Sequence, residues 1–235
     1  MNQTQTRLIL LWLLILASTT KACAQRVANP QTERRLASSP GRARGALWRD
    51  IPQRINTNAK HLFYLHGRII EEQGVNAVSS AFGAYEYGQI LQTFVDKGFI
   101  VISEPRPKGT DVQQYAAKVV RQISSLLQAG VSPQKITVVG ASKGGSIAVA
   151  TSTQLKNRDV NFVLLAACGN SELYGNILSV WDYRDDTGAA TCERSFAEAA
   201  GVNRHREVQL RLGLGHGILY HPLKEWIDLV VEWAN

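Results

Sequence analysis

The chain has 235 residues, 45% of them apolar and 19% charged, with a formal net charge of +7. That length and balance fit one globular domain with a sizeable core and exclude a disordered chain. Much of the positive excess sits in Arg26, Arg34, Arg35, Arg42, Arg44, Arg49 and Arg54. No aromatic stacking pattern accompanies these residues, so they read as a solvated basic extension rather than a nucleic-acid surface.

Residues 1–24 read as a signal peptide. Arg7 supplies the positive start, the run from Leu8 to Ala17 the apolar middle, and Ala22-Cys23-Ala24 a small-residue cleavage site before Gln25. The run is short of the ~20 apolar residues of a membrane span, so no stable membrane anchor is expected after cleavage. The rival readings are an uncleaved anchor and a lipoprotein carrying lipid on Cys23; Thr20 stands where the second needs a Leu-like residue. Losing Arg7 and Lys21 lowers the formal charge from +7 to +5. The expected destination is secreted or periplasmic. Cleavage also removes Cys23 and leaves Cys168 and Cys192, an even count that suits one disulfide in an oxidising compartment.

Residues 25–60 carry no sustained apolar period and contain Pro30, Pro40, Gly41, Gly45 and Pro52, so an irregular arm is expected. From residue 61 to 235 the pattern is regular. Short apolar runs bounded by turn residues predict buried strands at 61–65, 99–103, 136–139, 162–166, 177–181 and 208–212. Helical spacing marks 84–97, 111–128, 143–156 and 222–234, with Asp111 near one start and Gly130 just past one end. Alternating strands and helices imply an α/β fold: a mainly parallel sheet of about six strands, covered on both faces. Chemistry in such sheets gathers at the carboxyl ends of the strands.

Gly140-Ala141-Ser142-Lys143-Gly144 is the most informative segment. It reads Gly-x-Ser-x-Gly between a predicted strand and a predicted helix, the setting of a nucleophile elbow. A serine there stands clear of the sheet, small neighbours let strand and helix approach closely, and the helix start favours developing negative charge. The competing reading is a phosphate loop around Lys143-Gly144-Gly145-Ser146, but the spacing Gly-x4-Gly-Lys-Ser/Thr is absent. His216 lies in the Gly-rich segment Gly213-Leu214-Gly215-His216-Gly217, after the last predicted strand.

Over residues 61–235 these features resemble the α/β-hydrolase superfamily of serine esterases, lipases and peptidases. The order nucleophile, acid, histidine is the family's. The resemblance implies Ser142 as nucleophile, His216 as general base and an acid after the strand ending at Trp181. Asp185 stands at the matching position, with Asp186 and Asp182 as alternatives. It implies an oxyanion hole from the backbone N–H groups of Lys143 and of Arg68, the latter in the His66-Gly67-Arg68 turn, with His66 structural. One departure is that the family has two further strands before the His-Gly strand; here only the arm precedes it, or it holds one poorly marked strand around Leu47–Ile51.

The segment 167–176 is too short for a large cap, so an open cleft is expected. Gly67 and Arg106 are candidate substrate contacts, with Arg68, Lys143 and Lys108 around the mouth. The expected function is hydrolysis of a small-molecule carboxylic ester, or related acyl bond, through an acyl-enzyme. A peptidase or acyltransferase with the same three residues, or a binding protein that keeps only the fold, are the alternatives. No metal, organic cofactor or nucleic-acid partner is implied.

Overall fold

A computed structural model describes residues 45–168, 172–187, 191–197 and 199–235. The predicted signal peptide and most of the basic arm lie outside the described residues. In chain order the elements are β1 (Ala46–Trp48), β2 (His61–Leu65), α1 (Arg68–Gln73), β3 (Val78–Ser79), β4 (Gly83–Ala84), α2 (Tyr87–Asp96), β5 (Ile100–Ile102) and α3 (Val112–Gln128). They continue as β6 (Ile136–Ala141), α4 (Lys143–Leu155), β7 (Asn161–Leu165), β8 (Tyr174–Asp182), α5 (Glu193–Ala197), β9 (Gly201–Leu210) and α6 (Lys224–Trp233). Single turns of 3-10 helix occupy Pro133–Lys135 and Gly215–Leu219.

The main sheet has seven strands in the order β1-β5-β2-β6-β7-β8-β9, and each neighbouring pair runs parallel. The expected six strands are present, and the seventh is β1. Its three residues lie inside the segment read as an arm and pair Ala46 with Ile100 and Trp48 with Ile102. Leu47 and Trp48 remain half exposed at this edge, so no buried apolar run marks it.

Alternation along the central strands divides the core in two. Leu62, Tyr64, Val139, Val163 and Leu178 pack with Ile70, Phe94, Trp226 and Val230, under α1, α2 and α6. Phe63, Val138, Phe162, Leu164 and Ile177 pack with Val119, Ile123, Leu126 and Ile147, under α3 and α4. Adjacent residues point to opposite faces of a strand, so one apolar run feeds both layers. Asp111 caps α3 by accepting the Gln114 N–H at 2.8 Å.

β9 begins at Gly201, seven residues before the predicted run. Its first half, Val202-Asn203-Arg204-His205-Arg206, is mostly exposed at the sheet edge, which explains why hydrophobicity does not mark it. The topology also fixes where ligands sit. β2 lies between β5 and β6, so the chain reverses its direction of travel across the sheet there, opening a crevice at the carboxyl ends of β2 and β6.

Candidate active site

Ser142 sits at that crevice, between the end of β6 and the start of α4, with φ 53° and ψ −119°. A non-glycine residue rarely occupies this region and is held there by its surroundings. The holding is visible. The Ser142 N–H donates to Leu165 O at 3.1 Å, and Ser142 O accepts from Gly145 N–H at 2.7 Å and Ser146 N–H at 3.1 Å. The glycines permit the approach of strand to helix: a Cβ on Gly140 would meet Gly144 O at 2.4 Å, and one on Gly144 would meet Leu65 O at 1.8 Å.

Gly67 follows β2 and packs beside the elbow, with its pro-Cβ position 3.7 Å from Ser142 Cβ. Gly67 caps α1, so Arg68 is the first residue of α1, as Lys143 is of α4. Opening residues of a helix have N–H groups with no carbonyl partner in their own helix. Both candidate oxyanion donors therefore occupy donor-rich positions around one crevice, while the Arg68 side chain is exposed to solvent.

His216 lies in the 3-10 turn Gly215–Leu219. Its Nδ1 is 2.8 Å from Asp185 Oδ2, with the Asp185 carboxylate fully buried and the imidazole 18% exposed. The other oxygen, Asp185 Oδ1, accepts from Thr187 N–H at 3.1 Å and Thr187 Oγ1 at 2.7 Å. With Nδ1–H donating to the carboxylate, Nε2 carries the ring's lone pair. A row of rings joins this turn to the crevice. Tyr85 packs on Gly67, Tyr220 on Tyr85 with centroids 5.0 Å apart, and Phe82 on Tyr220 at 5.2 Å and against Gly217.

The three candidate acids have different surroundings. Asp185 meets His216, and Asp186 is exposed. Asp182, buried at the end of β8, accepts four backbone N–H groups: Arg184 at 3.1 Å, Leu212 at 2.8 Å, Gly213 at 3.1 Å and Gly215 at 2.9 Å. Burial alone would raise its pKa, but the backbone donors, Gly215 foremost, outweigh it and leave the pKa lowered. Asp182 thus fastens the acid turn to the histidine loop, a role that sequence reasoning missed. The one available signal was its place at a strand terminus facing a Gly-rich segment.

Arg106 is not a substrate contact. It is 3% exposed, and its guanidinium pairs with buried Glu71, Nε to Oε1 at 2.9 Å. Its Nη2 donates to His66 O and its backbone N–H to His66 Nε2 at 2.9 Å. The loop between Ser103 and Pro107 thus turns its arginine inward, onto Glu71 and His66. Lys143 likewise turns its ammonium to Glu71 Oε2, at 2.5 Å, rather than to an open cleft. Lys108 is exposed. His66, expected to be structural, is buried: Nδ1 lies 2.8 Å from Gly67 O, and burial, reinforced by the Arg106 charge, pushes its pKa down to about 3. Cys168 and Cys192 have Cα atoms 5.2 Å apart and sulfurs at bonding distance.

No family model matches the chain, and no curated protein matches it. Solved structures do. SOBER1 from Arabidopsis thaliana aligns over 75% of this chain and 97% of its own, at 14% identity and TM-score 0.50. A YdeN-like hydrolase from Pectobacterium atrosepticum aligns over 76% of this chain and 92% of its own, at 14% identity and TM-score 0.47. Est1E from Butyrivibrio proteoclasticus, solved with ferulic acid, aligns over 79% and 90%, at 12% identity and TM-score 0.45. The chain has an α/β fold with a parallel seven-stranded sheet. More particularly, it has the α/β-hydrolase fold.

Proposed function

We propose that the chain is a serine hydrolase acting on carboxylic esters. The observation that carries this reading is the buried Asp185 carboxylate bonded to His216 Nδ1, in the same sheet end as a serine held at a left-handed elbow. In this reading His216 Nε2 takes the proton of Ser142 Oγ as the oxygen attacks the substrate carbonyl carbon. The oxyanion of the tetrahedral intermediate is stabilised by the N–H groups of Arg68 and Lys143. The intermediate collapses to an acyl-enzyme, and the imidazolium gives its proton to the departing alcohol. Water, deprotonated by His216, then releases the acid and restores Ser142. Asp185 keeps Nδ1 protonated and offsets the imidazolium charge.

Only residues 166–173 separate β7 from β8, so that connection supplies no cap over the site. A site without a cap from that connection suits small-molecule esters. The signal-like start, together with the Cys168–Cys192 pair, supports export to an oxidising compartment.

A fluorophosphonate probe tests the reading. It should label the wild-type protein at Ser142 and fail on Ser142→Ala. A folded wild type that neither reacts with the probe nor hydrolyses a panel of p-nitrophenyl esters would falsify the proposal. Including aminopeptidase substrates and acceptor alcohols in the panel separates esterase from peptidase and acyltransferase.

A further inference from the structure

The proposed mechanism leaves two buried charges, and a half-buried third, unused beside the elbow. The side chains of Arg106, Glu71 and Lys143 are 0%, 1% and 14% exposed. Burying charges is costly even when they are paired, and apolar residues of similar volume often stabilise a fold equally well. Stability therefore does not account for a carboxylate placed between two cations at this point. Position does. Glu71 lies in the first turn of α1, three residues after Arg68. Its Oε1 accepts from Arg106 Nε at 2.9 Å, and its Oε2 pairs with Lys143 Nζ at 2.5 Å.

Arg106 in turn clamps the residue before Gly67, through His66 O and His66 Nε2. The connections close on themselves. One carboxylate joins α1, which opens with Arg68, to the first residue of α4 and to the loop that grips His66. The two N–H groups assigned to the oxyanion hole thus belong to elements that this carboxylate braces from behind.

We infer that Glu71 is a positioning residue for the oxyanion hole, setting the separation and aim of the Arg68 and Lys143 N–H groups through its paired contacts with Lys143 and Arg106. The inference rests on the reading of Ser142 as nucleophile. Glu71 touches no substrate in this role. Its effect is on the tetrahedral state, whose oxygen needs both donors at hydrogen-bond distance, and not on ground-state binding. The cluster of two cations and one carboxylate also leaves one net positive charge behind the site, the sign that favours a developing oxyanion.

Glu71→Gln keeps the side-chain volume and removes the charge. Steady-state kinetics on a p-nitrophenyl ester, the inhibition constant of a boronic acid that adds to serine as a tetrahedral anion, and the thermal midpoint are measured together. The expected result is a kcat lower by about 10- to 100-fold, short of the ~100- to 1000-fold cost of deleting an oxyanion donor. KM stays within about 2-fold while boronic-acid affinity falls in parallel with kcat. A folded variant with kcat within about 2-fold of wild type, or one whose loss lies in KM with boronic-acid affinity unchanged, overturns the positioning role. Should Glu71→Gln not fold, Lys143→Met, which keeps the Glu71–Arg106 pair and the residue 143 N–H, is measured in the same way, and the same results support or overturn the role. A wild type inert to both ester and fluorophosphonate overturns the hydrolase reading itself, an outcome distinct from an active wild type whose Glu71→Gln variant is unimpaired.

Discussion

The Asp182 carboxylate accepts the Gly215 N–H at 2.9 Å, tying the end of β8 to the residue immediately before His216. The same carboxylate holds Leu212, Gly213 and Arg184, so the loop that carries the candidate base hangs from a side chain outside the reaction. Asp182→Ala would leave these donors short of an acceptor. A loss of about 1–3 kcal/mol is expected, chiefly from the buried Gly215 N–H left unpaired, since the other three donors are only partly buried and can turn to water, read as a lower denaturation midpoint. The pH dependence has a definite sign. The folded-state pKa of Asp182 is lowered, so its contribution is complete above about pH 4 and is lost as pH falls through the folded value. Wild type should therefore lose stability on acidification below about pH 4 more steeply than Asp182→Ala.

Asp185 and Asp186 are adjacent but differ in what they meet, and kinetics should separate them. Asp185→Asn reverses the demand at His216 Nδ1, because an amide N–H cannot accept the ring proton that fixes the tautomer. A kcat decrease of about 10³- to 10⁴-fold is expected. Asp186→Asn, altering an exposed side chain, should leave kcat within about 2-fold of wild type. Equal losses in both variants would remove Asp185 from the proposed triad.

How far residues could be read depended on whether their role was local. The elbow was legible because strand, tight turn and helix follow one another within Ile136–Leu155, and each has its own pattern. His216 was legible from its glycines and its place after the last strand. Glu71 and Asp182 were not, because their partners lie at Arg106 and Lys143, or at Leu212 and Gly215, far away in sequence. The arginine of the 103–107 loop was misplaced for the same reason: a cation is expected outside unless a buried carboxylate awaits it. The strand β1 was marked only as an alternative, around Leu47–Ile51, and the outer half of β9 not at all, because edge strands need not be apolar.

The backbone of Ser142 predicts a trade between stability and activity. At φ 53° a side chain is strained and glycine is not. Ser142→Gly should therefore be more stable than Ser142→Ala by about 0.5–1 kcal/mol in denaturant titrations, with both variants inactive. Equal stabilities would show that the surroundings relax the elbow once the hydroxyl is gone.

Two glycine-to-alanine changes in helices should have opposite outcomes. In α4, a Cβ on Gly144 would overlap the Leu65 carbonyl, at 1.8 Å from the oxygen and 2.4 Å from the carbon. Both atoms are backbone of a central strand, so neither can rotate away. A cost above about 3 kcal/mol, or failure to fold, is expected. In α2, nothing lies within 4 Å of the position a Cβ on Gly88 would take. Gly88→Ala should be neutral or stabilise by up to ~1 kcal/mol through helix propensity alone. Thermal melts of the two variants decide it.

Cys168 and Cys192 are separated by 24 positions and join the segment after β7 to the start of α5, outside the core strands. A bridge closing a loop of this length should contribute roughly 3 kcal/mol by restricting the unfolded chain. Dithiothreitol should lower the thermal midpoint accordingly, while the intact protein gains about 2 Da by mass spectrometry as the two thiols form. The Asp185–His216 pair does not depend on either sulfur, so ester hydrolysis at low temperature should survive reduction. A protein isolated from an oxidising compartment with both thiols free would show that the pair is not bonded there, and would remove one of the two supports for export.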